Sequence, residues 1–90
     1  MNPINSRFRP IVLTDEDLLE LYLSLPTVLR NERFANTART AEITGLSVRT
    51  IQFWIETGAI RGIAVGRKRW IDLDSLRNYL KVRMQEQLGR

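Results

Sequence analysis

The sequence predicts a mainly α-helical domain carrying one small β-hairpin. Apolar residues recur at helical spacing in four segments, most clearly at Leu18-Leu21-Tyr22-Leu25, Val48-Ile51-Trp54-Ile55 and Leu73-Leu76-Leu80. Between the last two of these the period changes. From Ile60 to Asp72, Ile63 and Val65 alternate with small residues, Gly66-Arg67-Lys68 makes a turn, and Arg69-Trp70-Ile71 follows. The chain has 90 residues, which is one small core and no more.

Met1 to Pro10, with two of the three prolines, reads as the start of a mobile arm over residues 1–13. Thr14 opens the first helix. Its hydroxyl can cap free amides, Asp17 stands at the capping-box position, and three acids in the first turn suit the helix dipole. This helix should stop before Pro26. Its stripe of Leu18, Leu21, Tyr22 and Leu25 is widened by Leu19 and Leu23, so a covering partner is expected, either the rest of the chain or a second protomer. A short helix from Thr27 to Glu32 and an extended Arg33-Phe34-Ala35 complete an N-terminal helical extension over residues 14–35.

Asn36 or Thr37 caps the next helix, with Ala38, Ala41 and Ile43 expected inward and Gly45 closing it in a left-handed conformation. Ser47 caps the helix that follows, and Gly58 ends it. After the hairpin, Asp72 or Asp74 caps a final helix with Leu73, Leu76, Leu80 and Met84 on one side. Residues 81–90 are its end and a tail.

Composition narrows the function classes. The chain has no cysteine and no histidine, which rules out a zinc site of the usual Cys/His kind, a nucleophile–histidine pair and a disulfide scaffold. No motif assembles a nucleophile, a base and a metal, so the expectation is a protein that is not an enzyme and uses no cofactor. The apolar runs are too short to span a bilayer, and no signal peptide is visible. Charge is unevenly distributed. Residues 1–29 hold two arginines against four acids, a net of −2, while residues 30–90 hold twelve Arg/Lys against six acids, a net of +6. The basic part is suited either to a polyanion or to being a solvated face.

The two short helices flanking Gly45-Leu46-Ser47 have the spacing of a helix-turn-helix, with Leu46 filling the space between them. The second helix bears Arg49, Thr50, Gln52 and Phe53 opposite its apolar side. Set in a major groove, arginine pairs with guanine and glutamine with adenine by two hydrogen bonds each. Arg67, Lys68 and Arg69 crowd at the hairpin tip, where mutual repulsion would be relieved by a phosphate backbone.

The run from Gly45 to Ile60, with its Gly-Leu-Ser-Val-Arg-Thr-Ile-Gln-Phe-Trp core and Gly58, resembles the MerR-type helix-turn-helix and equally the excisionase-like branch. In the latter a wing of the form Val-Gly-Arg leads to an isoleucine and then a helix, as Val65-Gly66-Arg67-Lys68-Arg69-Trp70-Ile71 and Asp74-Ser75-Leu76 do here. The resemblance covers Asn36 to Leu80. It implies a winged helix-turn-helix preceded by an N-terminal helix, with Arg49, Thr50 and Phe53 on the DNA side and the wing arginines on flanking phosphates or in the minor groove. Phe53 stands where tyrosine is commoner and Gln52 where arginine is frequent. The wing tryptophan is displaced by one residue, so the resemblance leaves open whether Arg69 or Trp70 faces DNA.

The functional expectation is sequence-specific binding of double-stranded DNA by a small transcriptional regulator or an excisionase-like architectural factor of a phage or mobile element. It would work in the cytoplasm, on the nucleoid. Arg49, Thr50 and Gln52 would read bases, and Arg39, Ser47, Phe53, Arg67, Lys68 and Arg69 would contact the backbone. The N-terminal helix is the candidate surface for a homodimer or for cooperative side-by-side binding. Arg61 is equally a phosphate contact or an ordinary loop charge. The alternative is a protein-interaction adaptor that keeps the winged fold without binding DNA.

Overall fold

The computed structural model describes residues 14–88, so the expected arm over residues 1–13 lies outside the described part. The elements are α1 (Asp15–Ser24), α2 (Thr27–Arg33), β1 (Phe34–Asn36), α3 (Thr37–Thr44), α4 (Val48–Glu56), β2 (Gly62–Val65), β3 (Lys68–Asp72) and α5 (Leu73–Leu88). The protein is mainly helical with a small antiparallel sheet, as its periodicity predicts. Among the described residues, no helix is long and apolar enough to cross a membrane.

Local chemistry sets the helix ends. Thr14 and Asp17 form a reciprocal capping box, each side chain bonding the other's backbone amide at 3.1 Å. No basic residue lies in the last turn of α1. Arg30, on α2, supplies the missing cation: its Nη2 donates to the carbonyls of Leu23 and Leu25 at 3.3 and 3.1 Å. Asn36 caps α3 by accepting from Arg39 N at 2.7 Å, and Gly45 closes that helix with φ at 75°.

The hairpin is part of a larger sheet. The extended segment expected at residues 33–35 supplies a third strand, so the order is β1-β3-β2, and the boundary drawn at 35/36 falls inside β1. Val65 pairs with Lys68, which leaves a two-residue turn, Gly66-Arg67, in place of the three-residue turn expected. Gly66 has φ at 65° and Arg67 a negative φ, the arrangement of a type II′ turn, whose twist matches that of the strands. Lys68 is consequently a strand residue.

Both faces of the sheet are covered. Ala35 and Ile71, which pair across β1 and β3, lie in one cluster with Ile51, Ile60, Leu73 and Leu76. Leu46, Trp54, Ile55 and Tyr79 border that cluster. On the opposite face, Phe34 and Ile63 pack with Leu18 of α1, and Leu21, Tyr22, Leu25 and Trp70 surround them. Tyr22 links this side together: its ring meets Phe34 edge-on at 5.3 Å, lies 5.6 Å from Trp70, and carries the Arg30 guanidinium at 4.7 Å. The leucine-rich helix is thus covered largely by its own chain, although Leu19 and Leu23 remain exposed.

Asp72 fastens three elements. Its carboxylate is buried at the β3–α5 junction, accepts from Arg33 Nε at 2.8 Å and from Asp74 N at 3.1 Å, and so caps α5 while holding α2. This bond holds the Arg33 guanidinium above its ordinary, already high pKa, against partial burial that pulls the other way.

Two packing expectations are corrected. In α3, Ala38 and Ile43 face solvent, whereas Thr40 is fully buried beside the half-buried Ala41. The inward positions are Thr37, Thr40, Ala41 and Thr44, and buried threonine is tolerated because Thr40 Oγ1 donates to Asn36 O at 2.8 Å. In α5, Leu73 and Leu76 are buried as expected, but Leu80 and Met84 are exposed, because the helix runs past the core.

Candidate nucleic-acid interface

α3 and α4 pack through the Gly45-Leu46-Ser47 turn. Thr44 Oγ1 accepts from Leu46 N at 3.2 Å, which fixes the turn, and the half-buried Leu46 reaches the core below it. Ser47 caps α4, its Oγ accepting from Thr50 N at 3.0 Å. The strong separation of apolar and polar residues along α4 then determines its orientation. Ile51 is fully buried, and Trp54 and Ile55 are half-buried against the sheet. Arg49, Gln52, Phe53 and Glu56 form the opposite, exposed side.

Thr50 stands on the flank between these sides. It is half-buried, and Ser47 Oγ donates to its hydroxyl at 2.9 Å. Of the three residues expected to read bases, Arg49 and Gln52 therefore share the outer face and Thr50 stands at its edge. Val48, expected on the apolar side, is 42% exposed at the start of the helix.

The hairpin divides its cations. Side chains alternate along a strand, so Arg69 shares the sheet face of Ile71, which covers α4, and it pairs with the exposed Ala64. Lys68 and Trp70 belong to the α1 face. Trp70 is covered by Tyr22, while Arg69 is exposed. Of the two residues whose order the sequence left open, Arg69 is thus the exposed one. Arg67 caps the tip of the turn, so the three consecutive cations project from the tip and both faces of the hairpin.

Ion pairing separates the structural cations from the free ones. Arg33 binds Asp72 and Asp74, Arg77 binds Asp74, and Arg61 binds Asp15 at 2.9 Å, tying the loop before β2 to the start of α1. Arg61 is thereby a bridging residue, its backbone amide also donating to Ser75 Oγ. Arg39 is exposed on α3, 3.7 Å from Glu42, a pair too open to immobilise it. Among the described residues, Arg49, Arg67, Lys68 and Arg69 have no acidic partner within 4.0 Å; nor do Lys81 on α5, Arg30, which bonds carbonyls, and Arg83, which lies over Trp54 and Tyr79.

Both tryptophans are packing residues. Trp54 packs edge-on against Tyr79 at 4.9 Å, with the Arg83 guanidinium 5.7 Å from its ring, and Trp70 anchors the hairpin to α1. Sequence reasoning missed Arg30 and Arg33, which hold the scaffold behind the interface. Their one signal was position, two arginines on a short helix next to a chain reversal. No protein-family model matches the chain, and no curated protein or solved structure matches it significantly.

Proposed function

We propose that this protein binds double-stranded DNA sequence-specifically, as a small transcriptional regulator or an excisionase-like architectural factor, through a winged helix-turn-helix formed by α3, α4 and the β2–β3 hairpin. One observation carries the reading: Arg49, Arg67, Lys68 and Arg69 have no acidic partner and lie on the outer side of α4 and at the hairpin, while Arg33 and Arg61 are engaged in ion pairs, Arg30 bonds backbone carbonyls and Arg83 lies over aromatic rings. The resemblance of residues 36–80 to MerR-type and excisionase-like domains agrees with it. On this reading the protein acts on the nucleoid in the cytoplasm, without a cofactor and without catalysis.

In this reading α4 enters the major groove. Arg49 reads guanine and Gln52 adenine, and Thr50 supports one edge. Arg39 and Ser47 meet phosphates beside α4, and Arg67, Lys68 and Arg69 do so at the hairpin. A module of this size buries on the order of 600–1,000 Å² on DNA, so useful affinity calls for a second copy. The exposed Leu19 and Leu23 of α1 are the surface proposed for that pairing.

A second reading, a protein-interaction adaptor, draws on an open groove of about 690 Å³ bordered by Leu21, Leu25, Leu29, Ile43 and Leu73. Selection of duplexes from a random pool separates the two. DNA binding predicts enrichment of a defined motif, repeated or palindromic if two copies bind. An unenriched pool would overturn sequence-specific recognition.

A further inference from the structure

The outer face of α4 holds one residue that neither charge nor hydrogen bonding explains. Phe53 is 59% exposed, belongs to neither core cluster, and has no aromatic partner or cation over its ring among the described residues. Its neighbours on that face are Arg49 one turn earlier, Gln52 beside it and Glu56 three residues later. It is therefore a single phenyl group in polar surroundings rather than part of an apolar patch fit for a protein partner. The four residues follow the i, i+3, i+4, i+7 spacing with which a homeodomain's recognition helix presents side chains to base edges.

We infer that Phe53, expected from the sequence among the backbone contacts, instead selects thymine, by seating its ring against the 5-methyl group in the major groove. This rests on the proposal that α4 binds DNA, and it adds the base class read at that position. The methyl of thymine is the apolar group that a base pair offers on its major-groove edge, and phenylalanine is one of the side chains that meets it. Glu56 supports this placement. A carboxylate next to Phe53 on the same face repels phosphates, which keeps this part of α4 over base edges rather than against the backbone. The outer face then reads a mixed site: guanine by Arg49, adenine by Gln52 and thymine by Phe53.

The test uses the full chain and a duplex selected by it from a random pool, with each thymine replaced in turn by deoxyuridine, which removes the methyl and keeps the pairing. At one position the wild-type protein should lose about four-fold in affinity, the factor for one methyl group left in water. Phe53→Ala should bind the thymine and uracil duplexes equally. Phe53→Tyr, which keeps the ring, should retain the wild-type ratio. Equal wild-type affinity for every uracil duplex would overturn the inference while leaving DNA binding intact, as would a Phe53→Ala protein that keeps the four-fold ratio. Failure to bind any duplex would overturn both.

Discussion

At the residue scale, the proposed DNA binding divides base reading and phosphate anchoring between different side chains. Arg49 stands on the outer face of α4 and Lys68 and Arg69 on the hairpin, so their loss should have different signatures. Arg49→Ala should cost about 1–3 kcal/mol of binding and relax preference at one base pair. Lys68→Ala and Arg69→Ala should weaken binding evenly across sequences, Arg69 more, because it shares the sheet face that covers α4. Titration of each variant against the selected duplex and its single-base variants measures this. Loss of affinity by all three with unchanged preference would refute the division. Behind the interface, Arg33→Ala leaves the buried Asp72 carboxylate without its cation. It should lower unfolding free energy by about 1.5–3 kcal/mol in a denaturant titration, the range for a charged hydrogen bond. What could be read from sequence at this scale was mostly capping: Thr14, Asp17, Asn36, Gly45 and Ser47 all act as their chemistry suggests. Thr40 was not legible, because its burial depends on a backbone carbonyl four residues back, and hydrophobicity alone favoured Ala38 and Ile43.

At the element scale, α4 was legible and the sheet only partly so. A helix with Ile51, Trp54 and Ile55 on one side and Arg49, Gln52, Phe53 and Glu56 on the other leaves one way to bury itself. β1 is three residues long and forms by pairing with β3, more than thirty residues away; the extended segment expected at residues 33–35 carries no local sign of that partner. The pairing of β2 with β3, over α4, explains why Gly62 must be small: a Cβ there would lie 3.0 Å from the Trp70 carbonyl oxygen and 3.7 Å from Ile55 Cδ1. Gly62→Ala should therefore push β2 from β3 and α4 and lower stability by about 1–3 kcal/mol, as overpacking does, with a matching fall in the thermal midpoint. The α1 capping box makes a pH prediction. The Thr14 backbone amide, and then its hydroxyl, hold the Asp17 carboxyl below its ordinary value of 3.8. A depressed folded-state pKa contributes stability in full above 3.8 and loses it as the pH falls through the lower folded value. The stability difference between wild type and Asp17→Ala should be constant near neutrality and shrink only in that acid window. A difference that persists at lower pH would show that the cap does not depend on the carboxylate.

At the scale of the whole molecule, charge and packing divide the chain in different ways. By charge, the acidic N-terminal third contrasts with the basic remainder. By packing, α1 is integral, because fully buried Leu18 and the Tyr22 ring cover the side of the sheet that carries Trp70 and Ile63. Tyr22→Ala should expose Trp70 and shift its fluorescence to longer wavelength, with Trp54 held unchanged by Tyr79. An unshifted spectrum would mean that α1 does not cover the hairpin. Net charge and the run of wing cations were readable from the sequence. Which cations remain free was not, since that depends on Arg33 and Arg61 finding acids across the fold. The free ones are the basis of the central claim, and its most direct test is the salt dependence of binding to a random-sequence duplex. With Arg39, Arg67, Lys68 and Arg69 on phosphates, log K against log salt should fall with a slope of about −3 to −4. A flat dependence, or no binding at low salt, would contradict the account.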